Sequence, residues 1–390
     1  MGRKDIYKTN FYFNFYERKI LPNIYTSIQY QSNSIPLQSR TPKGLKLEDV
    51  GTLVVELFPS YFTFQINEPN ALDIQKIFRV KGYCISIEGS ENVENYLTKH
   101  FKTNFRTTMR RKLKGLENCF NVSYKMLYGN IARDEYDFIM DELHTMLIRR
   151  FAQRNDENMA LNRWKDYYAN TFALINEKKA SLYVIYDDAK PIQISLSYHR
   201  GKILFLAIPS YNIDYSKFGL GNISVFKILE WCIANDYKTL DMGFGALDYK
   251  VKWCNETYNF EHHVFYTKSS IRSRMLLFSI TIKTKLINYL ISKKVNIYYH
   301  KLKTAMLGKQ KSDLIKFDLQ KVDNNSEVLS TYRTIHPLTD DSFTFLRRAI
   351  NDFAYAQFVH VSQIKVFEFE RNKVYFFQAE KETLKVTYNI

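Results

Sequence analysis

Two glycines one residue apart stand directly before a helix-like run in YNIDYSKFGLGNISVFKILEWC, residues 211 to 232. The start of a helix leaves backbone N–H groups without partners and carries the positive end of the dipole. A phosphate or pyrophosphate therefore sits there when no side chain blocks its approach. Gly219 and Gly221 remove that obstruction, and glycine admits the positive φ angles that turn successive N–H groups into one concave nest. Leu220 and Asn222 complete the turn, and Lys217 offers a point charge to the same anion. The spacing is not a dinucleotide fingerprint, since Ser224 stands where the third glycine of GxGxxG belongs, and no GK[ST] follows to make a P-loop. Paired glycines before a helix are commonly no more than a tight turn. The surrounding elements decide what this turn is for.

Upstream, SLYVIYDD (181 to 188), PIQISLSYH (191 to 199) and KILFLAIPSY (202 to 211) read as three strands. DDAK and HRGK supply the turns of an antiparallel meander. Downstream, residues 222 to 236 read as a helix and KTLDMGFG (238 to 245) as a strand leaving it. Before the meander, apolar residues at helical spacing predict helices over 136 to 151 and 163 to 177. They also predict one over 98 to 118, where Lys102, Arg106, Arg110 and Lys114 follow one another at i+4 as a basic stripe. Residues 1 to 100 read as short strands and turns, with VGTLVVELFP (50 to 59) and YCISI (83 to 87) β-like. There NEPNA (67 to 71) reads as a turn leading into a helix-like LDIQKIF. From 271 onward apolar clusters alternate with lysines, which reads as one long helix or two short ones, packed on the protein with a wet basic face or, as the alternative, lying on a membrane surface. The tail reads as a helix over 340 to 353 followed by strands over 363 to 390. No period of 20 to 50 residues marks an internal repeat.

The chain of 390 residues, 45% hydrophobic and 16% aromatic, is long enough for two or three packed domains. Its net charge of +16 is local: residues 101 to 114 carry six Lys or Arg and no acid, and residues 268 to 321 carry thirteen basic and two acidic residues. Such patches attract phosphates, anionic lipid or nucleic acid, although a basic run is more often a solvated face. Cys84, Cys119, Cys232 and Cys254 show neither a disulfide framework nor metal-ligand spacing, which fits a reducing cytoplasm. No window of about 18 apolar residues is read anywhere in the chain, so neither a membrane span nor a signal peptide is expected.

The combination of strand, anion-binding turn, helix and strand resembles the acyl-CoA-binding core of the GNAT superfamily, whose motif runs [QR]xxGx[GA]. Ser216 to Gly221 reads S-K-F-G-L-G, matching the glycines but not the leading Gln or Arg. A closer resemblance, over roughly residues 95 to 266, is to the BioF2-like (CelD-like) acetyltransferases, relatives of the FemABX peptidyltransferases. It is carried by FKTNFRTTMRRKLKGLE, DELHTMLIRRF, the glycine turn and LDMGFGALDYKVKWCN, with Asp241, Gly243, Gly245, Tyr249, Lys250 and Trp253 in D-x-G-x-G then Y-K-x-x-W order.

The resemblance implies an α/β fold of tandem GNAT-like units with mixed, mainly antiparallel central sheets flanked by helices. It places a degenerate first unit at 1–120 and an acyltransferase unit at 121–267. A basic helical segment (268–321) and a small α+β extension (322–390) would follow. It further implies an acyl-CoA co-substrate, acetyl-CoA or another, used without a metal for N- or O-acyl transfer, on an amino sugar or cell-surface polysaccharide precursor. The pantetheine would pair with a splayed strand at Leu206, Ala207 and Ile208, and the pyrophosphate would meet Lys217, Gly219, Leu220, Gly221 and Asn222. A carboxylate or water chain would serve as base and a tyrosine as acid. Asp241, Asp214, Tyr249 and Lys250 lead the catalytic candidates, with Asp248, Tyr211 and Tyr215 beside them. Asp241 equally fits a cap or a bridge to Lys250, and His144 a hydrogen-bonded structural role. In a strand, adjacent His262 and His263 face opposite sides and cannot share one metal. Two alternatives stay open: transfer from aminoacyl-tRNA held by the 102 to 114 stripe, and a non-catalytic scaffold binding anionic lipid or nucleic acid. The expected location is the cytoplasm, with the inner membrane surface as an alternative.

Overall fold

A computed structural model describes residues 6–18, 24–31, 33–35, 51–66, 72–154, 159–245, 247–267, 269–293, 295, 316–322, 329 and 331–389. Its strands are β1 (Ile6–Asn10), β2 (Tyr25–Tyr30), β3 (Asn33–Ile35), β4 (Thr52–Pro59), β5 (Thr63–Ile66) and β6 (Leu72–Ser86), then β7 (Val122–Leu127), β8 (Ala180–Asp187), β9 (Lys190–Arg200), β10 (Ile203–Tyr211), β11 (Thr239–Phe244) and β12 (Glu256–Thr267). A C-terminal group adds β13 (Lys316–Val322), β14 (Arg333–Ile335), β15 (Lys365–Glu370), β16 (Val374–Gln378) and β17 (Thr383–Asn389). The helices are the single turn α1 (Phe11–Phe13), α2 (Val93–His100), α3 (Thr103–Cys119), α4 (Arg133–Arg154), α5 (Met159–Asn162), α6 (Trp164–Asn176), α7 (Leu220–Ala234), α8 (Asp248–Trp253), α9 (Ile271–Ser292) and α10 (Arg347–Gln357).

The fold is α/β around a nine-stranded mixed sheet, ordered β1-β4-β12-β6-β11-β10-β9-β8-β7. Two pairs are parallel, β1 with β4 and β10 with β11, and the others are antiparallel. β6 joins β11 to β12, so the sheet runs without a break across the expected division at residue 120. Side chains alternate between two cores. On one face Leu204, Leu206, Leu240 and Met242 pack with α2, α3, α7 and α10. On the other, Ile203, Phe205 and Ile208 meet Phe11, Tyr12, Tyr16 and the inner residues of α4 and α6. A three-stranded sheet (β3-β2-β5) stands at the N-terminal side, and a five-stranded one (β13-β17-β16-β15-β14) forms the C-terminal extension.

The meander, the helix after the glycines and the strand leaving it form as the sequence predicts. LDIQKIF does not: it opens β6, a 15-residue strand paired with both β11 and β12. Residues 72–78 pair along one edge with β12, and that pairing outweighs their local helical spacing. The NEPNA turn lies outside the described residues. The single helix expected over 98 to 118 is two, α2 and α3, separated by extended Phe101 and Lys102. That break stacks Phe101 on Phe105, centroids 4.2 Å apart, and sets both rings edge-on to Trp253 at 5.2 and 5.5 Å. The segment after 271 forms α9, whose exposed surface carries an apolar stripe as well as the expected basic residues. By length and composition α9 is also long and apolar enough to cross a membrane, which corrects the expectation that no such window occurs.

Candidate functional site

The glycine turn is built where β10 ends. Asn212 accepts a hydrogen bond from the Asp214 amide at 3.0 Å and so caps a 3₁₀ turn, Ile213–Phe218. Gly219 ends that turn at φ +71°, ψ 40°, the left-handed conformation that glycine enters without a Cβ penalty, and at the same time caps α7. Its carbonyl accepts from the amides of Asn222 (2.9 Å) and Ile223 (3.3 Å). The amides of Leu220 and Gly221 then lie at the helix mouth, where intrahelical acceptors run out. A Cβ on Gly221 would have Tyr211 at 4.0 Å as its nearest neighbour, so the approach is open.

A cation lies on the turn. A Cβ placed on Gly219 would stand 2.9 Å from both Cδ and Nζ of Lys112, reaching across from α3. Burial, with the like charges of Arg111 and Lys252 nearby, pulls the Lys112 ammonium below its ordinary proton affinity. Lys112 thus lies at the positive end of α7, with Arg111 and Lys252 close enough for their charges to act on it. Lys217, the cation expected here, is exposed, and its charge acts on Asp352 of α10.

Beside the turn, two parallel strands part. β10 pairs with β11 at Ile203, Leu204 and Phe205, opposite Thr239, Leu240 and Asp241. Beyond that point β10 continues to Tyr211 along β9, with a bulge between Leu206 and Ile208. The edge of Leu206, Ala207 and Ile208 that faces β11 is therefore free of strand pairing, and the bulge at Ala207 reorients the chain there.

Asp241 marks the last paired position and is fully buried. Its carboxylate accepts from Tyr61 (2.7 Å), from Tyr258 on both oxygens (2.7 and 2.8 Å) and from the Gly243 amide (2.7 Å). Burial raises its proton affinity, against the opposing pull of Tyr61, the Gly243 amide, Tyr258 and the Lys250 charge. Tyr61 and Tyr258 also line a cavity of about 260 Å³ with Tyr30, Thr239, Glu256 and Asn259. A buried proton acceptor thus sits behind two tyrosines that line this cavity and donate their hydroxyls to it. Lys250 does not bridge to it: its ammonium donates to the carbonyls of Met242 (2.6 Å) and Phe244 (2.9 Å) beyond the parting point.

The other candidates separate. Both oxygens of Asp214 are taken by Arg149 of α4 at 2.9 to 3.2 Å, and its carbonyl accepts from Asn351 of α10 at 3.1 Å. A carboxylate so engaged anchors the 3₁₀ turn. Tyr215 donates to Asp187 at 2.8 Å, Tyr211 lies under the Arg150 guanidinium, and Asp248 is exposed at the start of α8. Tyr249 is half-buried against the core that holds α7. His144 stacks on Trp164, and His262 and His263 occupy successive, opposite-facing positions of β12. In the basic stripe, Arg110 pairs with Glu94 at 2.5 Å and Arg106 turns onto Thr98 and Thr103. Among the described residues no group of three His, Cys, Asp or Glu side chains is arranged to hold a metal.

Reasoning from the sequence missed Lys112, Tyr61 and Tyr258. It also missed the bond from Trp253 Nε1 to Asn222 Oδ1 (2.9 Å), which ties the Y-K-x-x-W motif to the first turn of α7.

Residues 103–251 match the family model described as Acetyltransferase (GNAT) domain, and this span contains α3, the glycine turn, the parted strands and most of α8. No curated protein matches the chain. Among solved structures, FemX aligns at 9% identity over 56% of this chain and 72% of its own, with a TM-score of 0.39. A conserved protein of unknown function from Bacteroides thetaiotaomicron aligns at 11% identity over 52% of this chain and 64% of its own, with a TM-score of 0.36. L-PGS from Bacillus licheniformis aligns at 11% identity over 59% of this chain and 72% of its own, with a TM-score of 0.35.

Proposed function

We propose that this GNAT-type fold works as an acyl-CoA-dependent N- or O-acyltransferase on a polar acceptor such as an amino sugar or a polysaccharide precursor. The observation that supports it is the parting of β10 from β11 after Phe205 and Asp241, next to a helix mouth bared by Gly219 and Gly221. On this reading the amides of Leu220 and Gly221, with Lys112, hold the diphosphate. The free edge of Leu206 to Ile208 takes the amide groups of the pantetheine arm as a strand would. The thioester, once bound, supplies an acyl carbon and a thiol leaving group.

The acceptor lies in the cavity lined by Tyr61 and Tyr258. Its proton passes through a tyrosine hydroxyl to Asp241, whose raised proton affinity suits it to accept. Asp214 anchors the 3₁₀ turn and Lys250 holds the carbonyl ends of β11 in place. A half-buried Tyr249 at the start of α8 is the candidate for returning a proton to the thiolate.

Acetyl-CoA should raise the melting temperature of the full chain. Gly221→Trp should abolish that shift without lowering the melting temperature of the unliganded protein, because its Cβ meets nothing closer than Tyr211 at 4.0 Å. No shift for the wild-type protein at millimolar acetyl-CoA would refute the reading.

A further inference from the structure

α9 carries a surface that acyl transfer does not use. One side lies on the sheet, with Leu277 and Ile280 against Val54, Ile77 and Val264 and with Ser273 and Thr284 buried. Two polar moorings fix it near its ends: Ser273 donates to the Gly51 carbonyl at 2.8 Å, and Asn288 donates to the Phe78 carbonyl at 2.9 Å while accepting from Arg79 at 2.8 Å. At 3.6 residues per turn, the side chains pointing directly away from that contact are those of Ile271, Met275, Phe278, Ile282, Leu286 and Tyr289, within an arc of about 80°. All six are exposed, Ile271 to 75%, Met275 to 69% and Phe278 to 66%.

The flanks of this stripe are basic. Arg272 and Lys283 lie along one side, Arg274 and Lys285 along the other, and the helix contains no acid. We propose that α9 lies in the plane of an anionic phospholipid surface, with the six apolar side chains at the acyl boundary and the four cations at headgroup level. Moorings near both ends keep the helix along the sheet rather than across a bilayer. Charge selects this occupant over a second copy of the chain, because two such faces brought together would oppose four cations with four cations.

The test uses the full-length protein and flotation with vesicles of phosphatidylcholine containing roughly a third phosphatidylglycerol, compared with vesicles of phosphatidylcholine alone. The expected result is binding to the anionic vesicles and at least about tenfold weaker binding to the neutral ones. Phe278→Ser with Leu286→Ser should weaken anionic-vesicle binding by about 100-fold, and Arg274→Gln with Lys285→Gln by about tenfold or more. Melting temperatures and acetyl-CoA binding should stay as in the wild type, since these side chains face away from the fold. The proposal is overturned if the wild type ignores anionic vesicles or binds both kinds alike, or if either double variant floats as the wild type does. A lipid-free dimer that the Phe278→Ser, Leu286→Ser pair dissociates would equally overturn it, by assigning the face to a second copy.

Discussion

Lys112→Met is the most discriminating perturbation of the proposed donor site, because it should move stability and binding in opposite senses. In the unliganded protein the ammonium rests on Gly219 among Arg111 and Lys252, and its folded-state proton affinity is lowered. For a base whose folded value lies below the unfolded 10.5, stability is present above that unfolded value and is lost as pH falls through the folded one. At neutral pH the charge is therefore a cost, and replacing it by a side chain of similar length should leave the apo melting temperature unchanged or slightly higher.

Binding should suffer. A charge-assisted contact to phosphate contributes about 1.5–3 kcal/mol, which is roughly a 10- to 150-fold change in Kd. At a coenzyme A concentration of about 100 times the wild-type Kd, ligand stabilises the folded state by ~2.7 kcal/mol. A variant that binds roughly 30-fold more weakly then sees about three times its own Kd and retains ~0.8 kcal/mol. Thermal melts with and without coenzyme A read both quantities in one experiment, and titration calorimetry gives the Kd directly. A Kd within twofold of wild type would refute the placement of the diphosphate on Lys112. A clear fall in the apo melting temperature would show that Lys112 holds the turn together instead of waiting for an anion.

Two further perturbations probe buried groups. Tyr258→Phe removes the donor that reaches both oxygens of Asp241 and should destabilise the fold by ~1–3 kcal/mol at neutral pH. Because the folded value of Asp241 is raised, its contribution to stability is present below the ordinary aspartate value and lost as pH rises through the raised one. The penalty of Tyr258→Phe should accordingly shrink in acid, and equal denaturant midpoint shifts at acid and neutral pH would refute the ionised state of Asp241. His199 bonds to Tyr237 (2.7 Å) and Ser181 (2.8 Å), and burial, aided by Arg200, lowers it to about 3. Its stabilisation is complete above the ordinary histidine value and fades as pH falls from there towards 3, by up to about 1.4 kcal/mol per pH unit. His199→Gln should flatten that slope in urea unfolding measured across the range, and an unaltered slope would show that other groups set the acid limit.

What the sequence reveals depends on whether the relevant contact is local. The hairpins at DDAK and HRGK and the helix after Gly219 follow from residues within a few positions of one another, and all three form. The start of β6 reads as helical in isolation because Leu72, Ile74, Ile77 and Phe78 satisfy a helical spacing loosely; its strand state is imposed by pairing with the distant β12. Lys112 escapes notice for a similar reason. It lies off the i+4 stripe of Lys102, Arg106, Arg110 and Lys114, and its partner Gly219 belongs to another element far along the chain. Tyr61 and Tyr258 are two among 29 tyrosines, and neither carries a local signal that it donates to Asp241. The D-x-G-x-G and Y-K-x-x-W residues are legible as a motif, yet their structural roles differ. Asp241 is a hydrogen-bonded carboxylate at the strand parting, Lys250 a clasp on β11, and Trp253 a bolt from α8 to Asn222.

On the proposed acyl-transfer reading, the alternation of side chains at the parting sets the direction of transfer. Leu204, Leu206, Leu240 and Met242 face the core that holds α7 and α3, the side of Lys112 and the glycine turn. Phe205 faces the opposite core, and Asp241 is bonded there by Tyr258. A pantetheine arm paired with Leu206 to Ile208 would therefore begin on one face of the sheet and deliver its thioester towards the other. Arg149 and Asn351 of α10 grip Asp214 from two directions and so fix the 3₁₀ turn on that side. The acceptor must then arrive from the side of Tyr61 and Tyr258. It follows that Lys112→Met and Tyr258→Phe act on different reactants: the first should weaken coenzyme A binding alone, and the second should leave that binding intact while changing the reaction with acceptor.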